Sequence, residues 1–129
     1  MTHYTVYTNT LSKKNMKRCG VSKNGKPYMY TDPRYKKWED DAVASLFLQK
    51  TEHGYEEWDK ECWAKILIYR HGNNIADMAG CIESVQDALE RARCITDDGL
   101  IKSLEGSRVY HGEPKEEARF EVVLTEFME

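Results

Sequence analysis

The stretch IADMAGCIESVQDALERAR, Ile75 to Arg93, decides how the rest of the chain is read. Met78, Ile82, Val85, Leu89 and Ala92 recur at i, i+4, i+7, i+11 and i+14, a helical stripe that faces a core. This spacing predicts a helix from Asp77 to about Arg93. Asp77 stands at its start, and Asp97-Asp98-Gly99 stands in the loop beyond its end. RHGNNIAD, in front of the helix, is rich in turn formers. Before it, CWAKILIYR, Cys62 to Arg70, reads as a buried strand of Ile, Leu and aromatics.

Outward from this unit, HYTVYT, His3 to Thr8, alternates bulky and small side chains and predicts a first strand. Leu11 to Thr31 is a basic loop, too polar for a core. Inside it, Asn24-Gly25 suits a type I′ turn, so VSKNGKPY is expected to form a small hairpin. Asp32 can cap a helix and Pro33 suits its first position. Tyr35, Trp38, Ala42, Leu46 and Phe47 then share a face, and a helix is expected from Pro33 to about Lys50. TEHGYEEWDKE is an acidic connector. After the second helix, LIKSLEGSRVY and ARFEVVLTE read as two strands, and Gly112 and Pro114 between them suit a hairpin loop. The expected fold class is α/β (mixed α+β): one small domain over residues 1–129, with a mixed sheet packed against two helices.

The chain has 129 residues, enough for one core and not two. No apolar run approaches the roughly 18 residues a membrane span needs. MTHYTVYTNT shows no secretory pattern, so a cytoplasmic location and no membrane partner are expected. Cys19, Cys62, Cys81 and Cys94 are scattered without close pairs, which fits reduced thiols better than a zinc site or a thiol enzyme. The net charge of −3 hides an asymmetry. From Lys13 to Lys37 nine basic residues face a single acid, Asp32, while the remainder of the chain is strongly acidic. One patch attracts phosphate and most of the other surface repels it.

Phosphodiester cleavage with Mg²⁺ needs several carboxylates converging on a hard, oxygen-seeking ion that activates water. Asp77 and Asp98, about 20 residues apart on either side of a helix, have the spacing for such a cluster, with Asp97 beside them. Plainer roles stay open at this point. Asp77 also suits a helix N-cap, and Asp97-Asp98-Gly99 also suits a turn.

SKKNMKRCG with KNGKPYMYTDPRYKKWE, RHGNNIADMAGCIESVQDALERARCITDDGLI, and LEGSRVYHGEP with RFEVVLTE together resemble the RusA family of Holliday-junction resolvases, over most of the chain. That family has the pattern Asp-x-Asp-Asn-x-x-Lys, then Asp-Ala-Leu, then a loop ending in Asp-Asp. Asp87-Ala88-Leu89 and Asp97-Asp98 fall at its spacing. The resemblance implies a homodimer, a Mg²⁺ site of aspartates in each subunit, and a required lysine. Carried over, the first aspartate is Asp77 and the loop aspartate is Asp98. The second aspartate falls on Ala79, its neighbouring asparagine on Gly80, and the lysine on Glu83.

Ala79 offers no oxygen. Glu83, one turn on, is either a surrogate ligand or a solvated residue. Gly80 is unusual inside a helix, marking either a close approach or drift after catalysis was lost. The expected function is a RusA-like protein of phage or prophage type, deficient in cleavage and retained for binding. Its partner is branched DNA, held through Lys13, Lys14, Asn15, Lys17 and Arg18, or a protein in a regulatory or anti-defence role. The alternative is an active Mg²⁺-dependent junction endonuclease using Asp77, Asp98 and Glu83 or Asp97.

Overall fold

A computed structural model describes residues 1–14 and 17–128, with Lys17 described in its backbone alone. In chain order the elements are β1 (Thr2–Val6), β2 (Lys17–Val21), β3 (Pro27–Thr31), α1 (Pro33–His53), β4 (Cys62–His71), α2 (Met78–Arg91), β5 (Ile101–Ser103), β6 (Arg108–Glu113) and β7 (Arg119–Glu126). The fold is mixed α+β, with a mixed sheet and two helices, as the hydrophobic periodicities predict. No helix among the described residues is long and apolar enough to cross a membrane.

The main sheet runs β1-β7-β4, and both β5 and β6 pair with the far side of β4. β7 is antiparallel to β1 and β4, whereas β5 and β6 are parallel to β4. Period-two alternation gives the sheet two unlike faces. Tyr4, Val6, Cys62, Ala64, Ile66, Ile68, Phe120, Val122 and Leu124 are buried toward the helices. Their neighbours Trp63, Lys65, Leu67 and Tyr69 are only half-buried on the opposite face. On that face, Tyr69 and Tyr110 stack at 4.8 Å and Arg119 lies 4.0 Å over Tyr69.

Helix α1 starts where Asp32 accepts a hydrogen bond from the Arg34 backbone N–H at 2.8 Å and Pro33 takes the first position. It ends at Gly54, whose φ of 67° is left-handed. Tyr35, Trp38, Ala42 and Leu46 are buried, but Phe47 is 53% exposed, which corrects its expected place on the core face. Adding Phe47 beside Leu46 widens the stripe past the arc that the sheet and α2 cover. In α2, Ile82, Val85 and Leu89 are buried, as is Ala92 at its cap, while Met78 at the exposed first turn is 48% accessible.

Two further expectations are corrected. The last two predicted strands form no hairpin. β4 lies between β6 and β7, so that Ile68 pairs with Val109 on one side and Phe120 on the other. The link from Glu113 to Arg119 must therefore cross two strand spacings, roughly 10 Å, which a two-residue turn does not span. It does so through a short 3-10 turn over the end of β4, fastened by a hydrogen bond from Gly112 N–H to the Gly72 carbonyl at 2.8 Å.

The second correction concerns the β2–β3 hairpin, which forms in the expected place with a different turn. Gly25 N–H donates to the Ser22 carbonyl, and in this loop only Gly25 has positive φ. A type I′ turn needs positive φ at both central residues, so this is a three-residue loop closed by a left-handed glycine.

Candidate functional site

The chain leaves β4 through a turn-rich loop and enters α2 at Asp77. The Asp77 Oδ2 accepts from Gly80 N–H at 2.7 Å, an N-cap that satisfies one of the helix's free donors. Along the exposed side of α2, Met78, Ala79, Ile82, Glu83 and Gln86 line a groove of about 690 Å³, closed on its other side by Asp98 and Leu104. Its floor is apolar and its rim carries two carboxylates. Ala79 lies in this lining and brings no oxygen to it.

Farther along the helix Asp87 and Glu90 meet Asp98, which a single 3-10 turn, Asp98–Leu100, presents from the following loop. Among the described residues, this is the one group of three or more candidate ligands whose atoms all lie within 4.8 Å of one another. Burial first, and then the charges of Asp98, Asp97 and Asp87, push the Glu90 carboxyl above its ordinary range. Lys13 offsets part of this charge. Its Nζ sits 2.5 Å from Asp87 and 3.6 Å from Glu83, and the hydrogen bond to Asp87 raises its own pKa.

The sequence-predicted site residues thus separate. Asp98 joins the acidic cluster. Asp77 caps α2, Asp97 accepts from Gly99 N–H at 2.7 Å, and Glu83 pairs with Lys13. Of Asp77, Asp97, Asp98 and Glu83, Asp98 is the one that belongs to a convergent group among the described residues. Asp87 and Glu90 were not singled out as ligands from sequence. The available signal was two acids three residues apart on a helix that ends just before Asp97-Asp98.

Gly80 is explained by a close approach. The segment Leu11–Lys14 lies across the start of α2, with Lys13 N–H donating to the Gly80 carbonyl at 3.2 Å. The buried Ser84 hydroxyl is 2.7 Å from the Leu11 carbonyl and 2.9 Å from that of Gly80. A Cβ on Gly80 would stand 1.9 Å from Ser12 Oγ. The absence of a side chain at residue 80 leaves the room in which Ser12 and the loop lie against the helix.

The basic residues also divide. Lys13 is held in the ion pairs just described. Arg18 donates to Asp32 through Nε at 3.0 Å and Nη2 at 2.7 Å, and Arg34 binds the same carboxylate. The hydrogen bonds from Arg34 and Arg18 hold the Asp32 carboxyl far below the usual range. Two guanidinium groups on one acid leave a net positive charge at the base of the hairpin. Lys14 is exposed, and Lys14, Lys23 and Lys26 form no ion pair among the described residues. Asn15 lies outside the described residues, as does the side chain of Lys17.

The hairpin carries exposed apolar groups on both faces. Cross-strand register puts Arg18 opposite Tyr30 and Gly20 opposite Tyr28 on one face, and Cys19 opposite Met29 and Val21 opposite Pro27 on the other. Tyr28 is 51% and Tyr30 41% exposed. The Tyr28 ring fills the space a Gly20 side chain would occupy. Cys19 is the exposed thiol, whereas Cys62, Cys81 and Cys94 are buried and free, their pKa values raised by burial. The buried thiols have the character of small core residues rather than nucleophiles.

The chain matches no protein-family model, and a search of curated proteins finds no match.

Proposed function

We propose that this chain is a RusA-like protein that binds branched DNA without efficient cleavage. The observation that carries the binding half is the hairpin. Lys23 and Lys26 at its turn lack acidic partners among the described residues and share the hairpin with the exposed rings of Tyr28 and Tyr30, and Lys14 is a further exposed cation without such a partner. Cations that track phosphates beside aromatic faces that stack on unpaired bases are the chemistry of a junction or single-strand contact. The residues at the resembled catalytic positions support the loss of cleavage. Ala79 offers nothing to a cation, Asp77 has one oxygen engaged as a cap, and Glu83 places an acid where phosphate would approach.

A second reading, an active Mg²⁺-dependent junction endonuclease, is favoured by one feature, the convergence of Asp98 with two other carboxylates. One experiment separates them: a four-way-junction assay at low salt with EDTA, Mg²⁺ or Mn²⁺, reading binding and nicking from the same samples. Salt-sensitive binding without nicking fits the proposal. Metal-dependent paired nicks that vanish in Asp98→Ala establish the endonuclease. Absence of both turns the search to protein partners of the acidic surface, the regulatory alternative. A homodimer in the cytoplasm of a bacterial or phage-infected host cell belongs to the same proposal.

A further inference from the structure

We infer that Asn24, in the turn of the β2–β3 hairpin, is a site of spontaneous conversion to aspartate and isoaspartate, which puts an acid into an otherwise basic hairpin. The chain has five asparagines, Asn9, Asn15, Asn24, Asn73 and Asn74, and Asn24 is the one followed by glycine. Asparagine is thermolabile because the backbone nitrogen of the next residue can reach its side-chain carbonyl carbon. A side chain on that next residue obstructs the approach. Asn9, Asn15, Asn73 and Asn74 are followed by Thr10, Met16, Asn74 and Ile75, each with such a side chain. Gly25 has none, and the place its Cβ would take is open, with nothing within 4 Å.

The surroundings set Asn24 further apart. The Asn9 side chain is held, its oxygen accepting from His71 N–H at 2.9 Å. Asn24 is exposed, as is every residue from Lys23 to Tyr30. In the closed turn Gly25 N–H donates to the Ser22 carbonyl at 2.9 Å, and the Ser22 hydroxyl accepts from Lys26 N–H at 3.1 Å. The nitrogen is free to react when this turn opens. The hairpin is a two-stranded sheet that pairs with no other strand among the described residues. Such a unit is marginal in water, and its turn belongs to the parts of a fold that open locally at low cost.

The chemistry needs water alone as co-reactant. A solvent base takes the Gly25 N–H proton, and the nitrogen attacks Asn24 Cγ. The new N–Cγ bond closes a succinimide ring, and the side-chain nitrogen leaves as ammonia with a proton from solvent. Water then opens the ring. Cleavage of the N–Cγ bond restores the backbone with an aspartate. Cleavage of the bond between that nitrogen and the Asn24 backbone carbonyl carbon leaves the chain running through Cβ, as isoaspartate. Nothing is oxidised or reduced. Either product carries a carboxylate between Lys23 and Lys26. From Lys17 to Thr31 the hairpin has four basic residues and no acid, so the new charge offsets one of its cations. The effect on DNA rests on the function proposed above, whereas the modification itself does not.

The test is incubation of purified wild type and Asn24→Gln in mildly acidic and mildly alkaline buffer, followed by ion exchange and peptide mapping. Glutamine keeps the charge and must close a larger ring. Wild type should accumulate a more acidic form, faster at the higher pH, with aspartate and isoaspartate mapped to position 24, and Asn24→Gln should not. An Asn24 that stays intact overturns the inference, as do acidic forms that map to another asparagine or arise equally in Asn24→Gln. Asn24→Asp, checked for folding by circular dichroism, should lower the salt dependence of junction binding by about one unit. If it binds as wild type does, the proposed offset of charge is overturned. If wild type binds no junction while Asn24 still converts, the DNA reading falls and the modification stands.

Discussion

Replacing Gly80 with alanine tests whether the loop Leu11–Lys14 is seated on α2. In an unobstructed helix this change stabilises by up to about 1 kcal/mol, less near the N-terminus. Here the new methyl group would meet Ser12 Oγ at 1.9 Å, with Asp77 Oδ2 at 3.0 Å and Lys14 Cβ at 3.1 Å. Ser12 must turn its hydroxyl away, which gives up the bond it accepts from Lys14 N–H at 3.1 Å, and the loop must ease off the helix by a few tenths of an ångström, which weakens the bond from Lys13 N–H to the Gly80 carbonyl, already 3.2 Å long.

Each such bond, fully made, contributes roughly 1 kcal/mol. Against the propensity gain, the net loss is up to about 1 kcal/mol. For a domain of this length the melting temperature should fall by up to about 3 °C. Urea unfolding followed by circular dichroism measures it. Ser12→Ala in the Gly80→Ala background removes the nearest clashing atom and should recover at least half of the loss. A Gly80→Ala protein more stable than wild type would refute the reasoning, because it would mean that the loop does not lie on the helix.

Other expectations follow from the charged groups. Asp32→Asn should destabilise the fold at neutral pH. Because the folded pKa of Asp32 is depressed, its contribution is present above the unfolded value and fades as pH falls from about 4 toward the folded value. Melting curves of the two proteins should therefore converge in acid. Glu90→Gln should do the opposite: its raised pKa makes the ionised form a penalty at neutral pH, so the variant melts higher than wild type near pH 7. That advantage should disappear as pH falls below about 4.3, where Glu90 is protonated in both states. Lys23→Ala and Lys26→Ala should each weaken junction binding and reduce the steepness of its salt dependence by about one unit, measured by titration at several salt concentrations. Lys13→Ala should leave that salt dependence nearly unchanged and lower stability by at most about 1 kcal/mol, since its ion pairs are partly solvent-screened.

The two helices, their caps and the stripe through Ile82, Val85 and Leu89 were legible in the sequence because each is written in local spacing. Strand partners were not. β6 and β7 are neighbours in sequence, with a turn-like link, but the pairing is decided by β4, the longest and most apolar strand, which bonds along both edges. Residue pattern alone does not report such competition. At the site, Asp77 and Asp98 were found by spacing, but spacing does not say whether a carboxylate serves a cation or a helix end. Gly80 was visible as an oddity, and its cause lay in Ser12, nearly seventy positions away in the chain. The pairing of Lys13 with Asp87 was hidden for the same reason.

The position of β7 has a consequence for how the chain is made. Arg119–Glu126, the last of the described strands, is a middle strand of the sheet, and among the described residues β1 bonds to β7 alone. A ribosome delivers β1, both helices and β4 well before the strand that joins β1 to β4. Until Arg119–Glu126 emerges, the core-facing side chains of β1 have no neighbouring strand, and one edge of β4 stays unpaired. Such an edge is a template for other chains. Translation that stalls inside this stretch leaves β1 and β4 unjoined and their core-facing side chains without β7 between them, a form for which chaperones compete.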